Sequence, residues 1–121
     1  METYQLYSVM ESREPDWKDP TDQAEFWILE DFNGGNVWIG KFIGDSRWER
    51  HPVADELVHL LEGEVKVILM MDNGRVEKML TAGDVCVMPK GIWHRQIADS
   101  WVVQYGATSG STEHSEDESP G

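Results

Sequence analysis

The chain has 121 residues, which is enough for one domain with a hydrophobic core. Its formal net charge of -13 disfavours binding to nucleic acid and to anionic membranes. Its single cysteine, Cys86, excludes an intramolecular disulfide, and no apolar run approaches the roughly 18 residues of a membrane span. Because the N-terminus also lacks the features of a signal peptide, we expect a cytoplasmic location.

The first 24 residues predict an N-terminal arm with one short strand at residues 4–9. A hairpin follows: two apolar runs, residues 26–30 and 37–43, flank Asn33-Gly34-Gly35-Asn36. Asn and Gly favour this interpretation because they accept the positive φ of tight hairpin turns.

Further short apolar runs alternate with turn residues about every ten positions. They predict strands at residues 57–61, 65–70, 76–80, 85–88, 93–97 and 101–105. This spacing is typical of an all-β fold, an antiparallel sandwich or barrel. We therefore predict one β-barrel domain at residues 25–107, and a disordered acidic tail at residues 108–121, which lack apolar side chains.

Metal-ligand residue types are concentrated just before the middle of the chain. Glu49 and His51 are two residues apart, so on an extended strand their side chains share one face. Pro52 interrupts that strand, and the next apolar run begins at Glu56 and ends at Gly63. A second strand returning beside the first would bring Glu56 to the other two side chains.

A second stretch has a similar character. Gly83 begins a strand, the Pro89-Lys90-Gly91 segment turns it, and His94 follows. The two stretches together resemble the two motifs of the cupin superfamily. In the first motif, His51, Glu56 and Gly63 match by spacing, and Gly44 is slightly out of register. In the second motif, the matching residues are Gly83, Pro89, Gly91 and His94, and Ala98 stands where the family has Asn.

The resemblance implies a small antiparallel jelly-roll barrel, a double-stranded β-helix that is often dimeric, with one divalent metal inside. It implies His51, Glu56 and His94 as ligands, and it places Glu49 where the family has its first histidine. Two carboxylates and two imidazoles form a hard, anionic ligand set. Such a set favours Mn or Fe, with Ni or Zn as alternatives.

Structural roles are the alternative for each of these residues. His51, Glu56 and His94 could be hydrogen-bonded core residues without a metal. Glu49 could pair with Arg47, Arg50 or Arg95 instead of binding a metal. His59 is out of phase with the ligands, and His114 in the tail is expected to be solvated. Cys86 is expected to be a buried apolar residue rather than a nucleophile.

The sequence favours a metal-dependent enzyme that acts on a small organic molecule, of the dioxygenase, isomerase, decarboxylase or lyase type. Glu49 would complete the ligand set or act as a general base, and Gln96, two residues after His94, would face the barrel interior and orient the substrate. The alternative is a non-catalytic module that binds a small ligand or a metal. Exposed Trp-rich strands favour a homodimer.

Overall fold

The described part of the chain, residues 1–21 and 23–120, forms ten strands and one short helix in a computed structural model. Helix α1 covers Leu6–Ser12. The strands are β1 (Trp17–Lys18), β2 (Ala24–Phe32), β3 (Gly35–Asp45), β4 (Trp48–Arg50), β5 (Glu56–Glu62), β6 (Glu64–Met71), β7 (Gly74–Thr81), β8 (Val85–Met88), β9 (His94–Ser109) and β10 (Glu113–Ser115). In this part of the chain, no helix has the length and apolar character needed to cross a membrane.

Strand β9 is the centre of the fold. It pairs antiparallel with β3 over most of its length, with β5 near its C-terminal end and with β6 at its N-terminal end. Strands β2 and β1 extend the sheet beyond β3, β8 extends it beyond β5, and β7 extends it beyond β6. The sheet curls into a jelly-roll barrel, so the predicted all-β antiparallel fold is confirmed.

The predicted hairpin between β2 and β3 is also confirmed. Asn33 and Gly34 have φ angles of 48° and 75°, which is the positive pair that a two-residue turn of type I′ requires. The flanking residues Phe32 and Gly35 are paired in register. The local sequence therefore determines where β2 ends and β3 begins.

The strand predicted at residues 4–9 is wrong, because this segment contains helix α1. Gln5 caps the helix by accepting a hydrogen bond from the backbone N–H of Ser8 at 2.7 Å. Val9 is buried, and it packs with Trp27 and Ile39 on the outer face of the barrel. The segment is too short to show a clear period, so its apolar residues fit a strand as well as a helix.

The last two strands predicted from sequence, at residues 93–97 and 101–105, form one continuous strand of 16 residues. The polar residues between them, Asp99 and Ser100, are exposed and do not interrupt it. This long strand lets β9 pair with several partners at once.

The C-terminal segment differs from the disordered tail that its composition predicts. It contains β10, which pairs with β4 so that His114 lies opposite Glu49. Arg50 contacts the Glu113 carboxylate at 2.9 Å, and Arg75 donates to the backbone oxygen of Glu118 at 2.7 Å. Backbone pairing and charge hold this segment, and neither produces an apolar signal in the sequence.

The barrel interior is filled at one end by apolar side chains and left open at the other. The apolar cluster contains Phe42, Val58, Leu60, Val65, Val67, Leu80, Met88, Ala98 and Val102. Trp48, Ile68 and Trp93 form a second buried cluster, separate from the first. Trp48 is fully buried beside the polar residue Glu49, as expected for side chains that alternate across a strand.

Candidate metal centre

Three neighbouring strands bring the candidate ligands together. Glu49 on β4 is the register partner of His94, the first residue of β9. Glu56 is the first residue of β5. His51 directly follows β4, and its backbone oxygen accepts a hydrogen bond from Gly91 N at 2.9 Å. This bond joins the turn between β8 and β9 to the segment after β4 that carries His51, so the two sequence stretches meet in space.

The ligand atoms of Glu49, His51 and His94 all lie within 4.8 Å of one another, which is close enough to hold a metal ion. Glu56 lies beside both histidines. Its Oε2 is 3.1 Å from His51 Nε2, and its Oε1 is 3.6 Å from His94 Nε2. Glu49 Oε2 is 3.7 Å from the same His94 nitrogen. The four side chains predicted from sequence therefore converge at one place.

The facing histidine nitrogens are buried without hydrogen-bond partners. His51 is 4% exposed and His94 is 2% exposed, and neither Nε2 atom forms a hydrogen bond with any residue that the structure describes. The 3.1 Å approach of His51 Nε2 to Glu56 has the distance of a hydrogen bond but not its angles. Burying such groups unpaired costs about 1–3 kcal/mol each.

A divalent metal would satisfy both nitrogens. Two donors that bind one ion at about 2.1 Å lie about 3.0 Å apart at a right angle and about 3.4 Å apart at the tetrahedral angle. The distances of 3.1, 3.6 and 3.7 Å among these carboxylate oxygens and imidazole nitrogens are near this range. The residues present thus fit a metal in kind and in spacing.

The electrostatics of the group couple His51 to Glu56. Burial acts to lower the pKa of His51, but the Glu56 carboxylate, with help from Glu49, outweighs it and raises that pKa. Burial likewise acts to raise the pKa of Glu56, but His51, His94 and the hydroxyl of Thr108 lower it. Glu56 is therefore held as a carboxylate and favours a cation beside it, either the protonated imidazole of His51 or a metal.

Contacts behind the ligands fix their orientation. Thr108 Oγ1 donates to Glu56 Oε2, and Trp38 Nε1 donates to Thr108 Oγ1 at 2.8 Å. Thr112 Oγ1 lies 3.1 Å from His51 Nδ1. These supporting contacts come from the end of β9 and the segment that follows it. The contact on His51 is made at Nδ1 rather than at the Nε2 atom that faces Glu56.

Glu49 lies among histidines rather than arginines. Its Oε1 is 3.9 Å from Nδ1 of His114, a side chain that the sequence predicts to be solvated and that is 68% exposed. Two of the arginines suggested as its partners are paired elsewhere: Arg95 with Asp45 and Arg50 with Glu113. These two pairings therefore give no support to a salt bridge of Glu49 with Arg95 or Arg50.

A cavity of about 530 Å³ opens from the ligand group. Glu49, His51 and Glu56 line it at the ligand group, and Gln96 also lines it, as its position in the sequence predicts. The buried Gln104 donates a hydrogen bond from Nε2 to the Gln96 side-chain oxygen. The volume falls in the range of small-molecule sites, about 300–1,000 Å³.

Two other residues with potentially reactive side chains, His59 and Cys86, lie away from the ligands. His59 is half-buried, with Nδ1 2.9 Å from the Tyr105 hydroxyl, and it does not line the cavity. Cys86 is half-buried, and burial raises the pKa of its thiol, which disfavours a nucleophilic role. Sequence reasoning missed Thr108, Thr112 and His114, because their contacts with the ligands span 50 or more residues or come from the tail.

Comparison with known proteins identifies the class that this fold and site define. The family model for the cupin domain (Cupin_2) matches residues 43–103, which include both motifs. The chain belongs to the cupin family.

Individual relatives are distant. An uncharacterized protein of Bacillus subtilis (strain 168), YdbB, is 38% identical over 72 residues. This match covers 60% of this chain and only 60% of that protein's length. A solved cupin-2 domain protein from Shewanella frigidimarina is 19% identical with a TM-score of 0.69, and the match covers 88% of this chain and 94% of that one.

A structure of Bacillus subtilis oxalate decarboxylase, described as having Mn(II) centres, is also similar. It is 15% identical with a TM-score of 0.71, and the match covers 88% of this chain and 30% of that chain. At this level of identity the likeness shows the fold alone.

Proposed function

We propose that the protein is a metal-dependent enzyme that acts on a small organic molecule. The observation that carries this proposal is the pair of buried, unpartnered Nε2 atoms of His51 and His94, which face two carboxylates at the edge of a cavity. Perturbed titratable groups beside a cavity are typical of functional sites.

The proposed ligands are His51, Glu56, His94 and Glu49. Two of the four are carboxylates, so the set is harder than one with three histidines, and we propose Mn(II) or Fe(II) before Ni(II) or Zn(II). The manganese named for the similar oxalate decarboxylase agrees with this preference. When bound, the metal would supply Lewis-acid or redox chemistry.

The protein's own side chains would bind and orient the substrate. Because Gln104 donates to the Gln96 oxygen, the Gln96 amide nitrogen is the group available to donate to a substrate oxygen. Glu49 is 31% exposed at the cavity, so its carboxylate could accept a proton from the substrate when it does not bind the metal. The barrel would exclude bulk water from the far side of the ligands.

Metal analysis tests the proposal. We expect about one equivalent of Mn or Fe per chain after purification or after reconstitution of stripped protein. We also expect turnover above background in a panel of small diketones, enols, hydroxy acids and thiols. Less than about 0.1 equivalent of metal with no uptake on reconstitution would reject the proposal.

Glu49→Gln tests the residue that the resemblance places at the family's first histidine. This change keeps the size of the side chain and removes its charge, so we expect metal affinity to fall at least tenfold, since even outer-shell changes cost about 10–100-fold. Calorimetry with Mn²⁺ measures it. Glu64→Gln, at an exposed acid on β6 outside the cavity, is the matched control and should bind normally. If the Glu49→Gln protein binds Mn²⁺ with unchanged affinity, Glu49 is not a metal ligand and only its proposed role as a general base is left.

Thr112→Val tests the contact behind His51. The substitution removes a hydroxyl at nearly constant volume, so His51 loses the group that fixes its ring through Nδ1. We expect metal affinity to fall about tenfold. Ser111→Ala removes a hydroxyl from the exposed neighbouring residue and should have no effect. Equal affinities for the two variants would show that the C-terminal segment does not position the ligand.

A non-catalytic binding module is the second candidate, and one observation favours it. Several polar side chains of the cavity are amides, namely Gln23, Asn36, Gln96 and Gln104. Amides recognise ligands but do not transfer protons at neutral pH. Saturable ligand binding by the metal-loaded protein, with no product formed over hours, would favour this candidate.

The homodimer and the cytoplasmic location stay predictions. Leu57, Val85 and Val87 are 40%, 59% and 54% exposed on the paired strands β5 and β8, an apolar face that favours self-association. Light scattering of the purified protein measures the oligomeric state.

A further inference from the structure

The wall of the cavity that β1, β2 and β3 form is aromatic, and it begins near the ligand group at Trp38, whose Nε1 donates to the same Thr108 hydroxyl that contacts Glu56. The rings of Trp17 and Phe26 lie 5.6 Å apart at 42°, and those of Phe26 and Trp38 lie 5.7 Å apart at 80°. All three side chains line the cavity, from β1, β2 and β3 respectively. We call these three residues the aromatic row. Trp17 lies on β1, the outermost of the three strands, and is 51% exposed, so this end of the aromatic row is open to solvent.

The charged side chains that line this cavity are acidic, apart from its histidines. The acids are Asp16, Asp19, Asp45, Glu49 and Glu56, and neither Lys nor Arg is among the described lining residues. Asp45 is neutralised by Arg95, and Asp16 contacts Arg13 at 3.4 Å. Asp19 accepts hydrogen bonds from the hydroxyl and backbone N–H of Thr21 and from the backbone of Gln23, which keep its pKa low and its carboxylate charged.

We propose that the ligand of this cavity carries a positively charged nitrogen, an alkylammonium group, which lies against the aromatic row beside Asp16 and Asp19. The inference rests on the proposed function, because the other end of the same small molecule would reach the metal-ligand residues. Aromatic faces attract cations through their quadrupole, and rings that surround an ammonium group are a known recognition mode.

Other ligand classes fit less well. A dicarboxylate would place its second anionic group among aromatic rings and carboxylates, with no Lys or Arg among the described lining residues to pair with it. A neutral apolar ligand would use the rings but gain nothing from Asp16 and Asp19. Only a cation draws on both the rings and the carboxylates.

Binding of choline to the full chain tests this inference. Choline, its uncharged tert-butyl isostere and malonate are compared by calorimetry, on protein of measured metal content. We expect choline to bind about tenfold more tightly than the isostere, as cation–π attraction in a partly desolvated site predicts. We also expect the indole N–H resonances of Trp17 and Trp38 to shift on choline addition. Equal affinity for choline and the isostere, or tighter binding of malonate that shifts the same indoles, would overturn the proposal.

Matched variants locate the effect. Trp17→Ala should weaken choline binding about tenfold, whereas Trp101→Ala, which removes a similarly exposed indole outside the cavity, should leave it unchanged. Asp19→Asn should weaken it more than Asp99→Asn, an equal change of net charge at an exposed residue elsewhere. Equal effects within the tryptophan pair would mean that choline does not lie against the aromatic row. Equal effects within the aspartate pair would mean that choline responds only to the overall charge.

The two proposals fail separately. Choline binding without any metal uptake would keep the ligand class and reject the metal-dependent enzyme. Metal uptake without a preference for choline over its isostere would keep the metal-dependent enzyme and reject the alkylammonium ligand.

Discussion

The His94→Ala protein should take up no metal, with less than about 0.1 equivalent bound under conditions that load the wild type. His94 is 2% exposed and its Nε2 lies within 3.7 Å of both Glu49 and Glu56, so this one nitrogen lies beside both carboxylates. Without it, His51 is the one histidine left in the proposed ligand set. Elemental analysis and Mn²⁺ calorimetry of the stripped and reloaded protein measure the loss.

His59→Ala is the matched control for this experiment. It also removes an imidazole from a strand of the barrel, but His59 contacts Tyr105 and lies outside the cavity. We expect its metal content and affinity to equal those of the wild type. A His94→Ala protein that is folded by circular dichroism and still binds one equivalent with wild-type affinity would contradict the proposed ligand set.

The sequence predicts much of this site because its ligands follow local rules. Glu49 and His51 are set two apart on one extended segment, and Glu56 and His94 each stand at the start of a strand after a turn. Alternation then fixes which face each side chain takes. That is also why His59 could be placed outside the ligand group and Gln96 in the cavity from their phase alone.

The supporting contacts could not be predicted in the same way. Thr112 and His114 belong to a segment of polar and acidic residues whose position depends on pairing with β4 rather than on burial. Helix α1 could not be predicted from sequence either, because its seven residues are too few to show a helical period. Its buried residue, Val9, is defined only by its packing against Trp27 and Ile39 on the barrel. In both cases a tertiary contact decides the local structure.

The other large effect is expected on folding, from Trp48→Ala. Trp48 is fully buried against Ile68 and Trp93, and the guanidinium groups of Arg75 and Arg95 lie 5.5 and 5.7 Å from its ring. Truncating a buried tryptophan costs about 3–5 kcal/mol. Urea denaturation of the metal-free protein should show this loss, and using metal-free protein keeps changes in metal binding out of the measured free energy of unfolding.

Trp101→Ala is the control, because Trp101 is 48% exposed and should contribute less than about 1 kcal/mol. The comparison bears on the metal centre because β4 has only three residues, and Trp48 anchors the strand next to Glu49. If Trp48→Ala cost no more than Trp101→Ala, β4 would be held by its pairing with β9 and β10 alone. A loss of several kcal/mol would instead mean that the buried indole fixes the strand on which Glu49 meets His94.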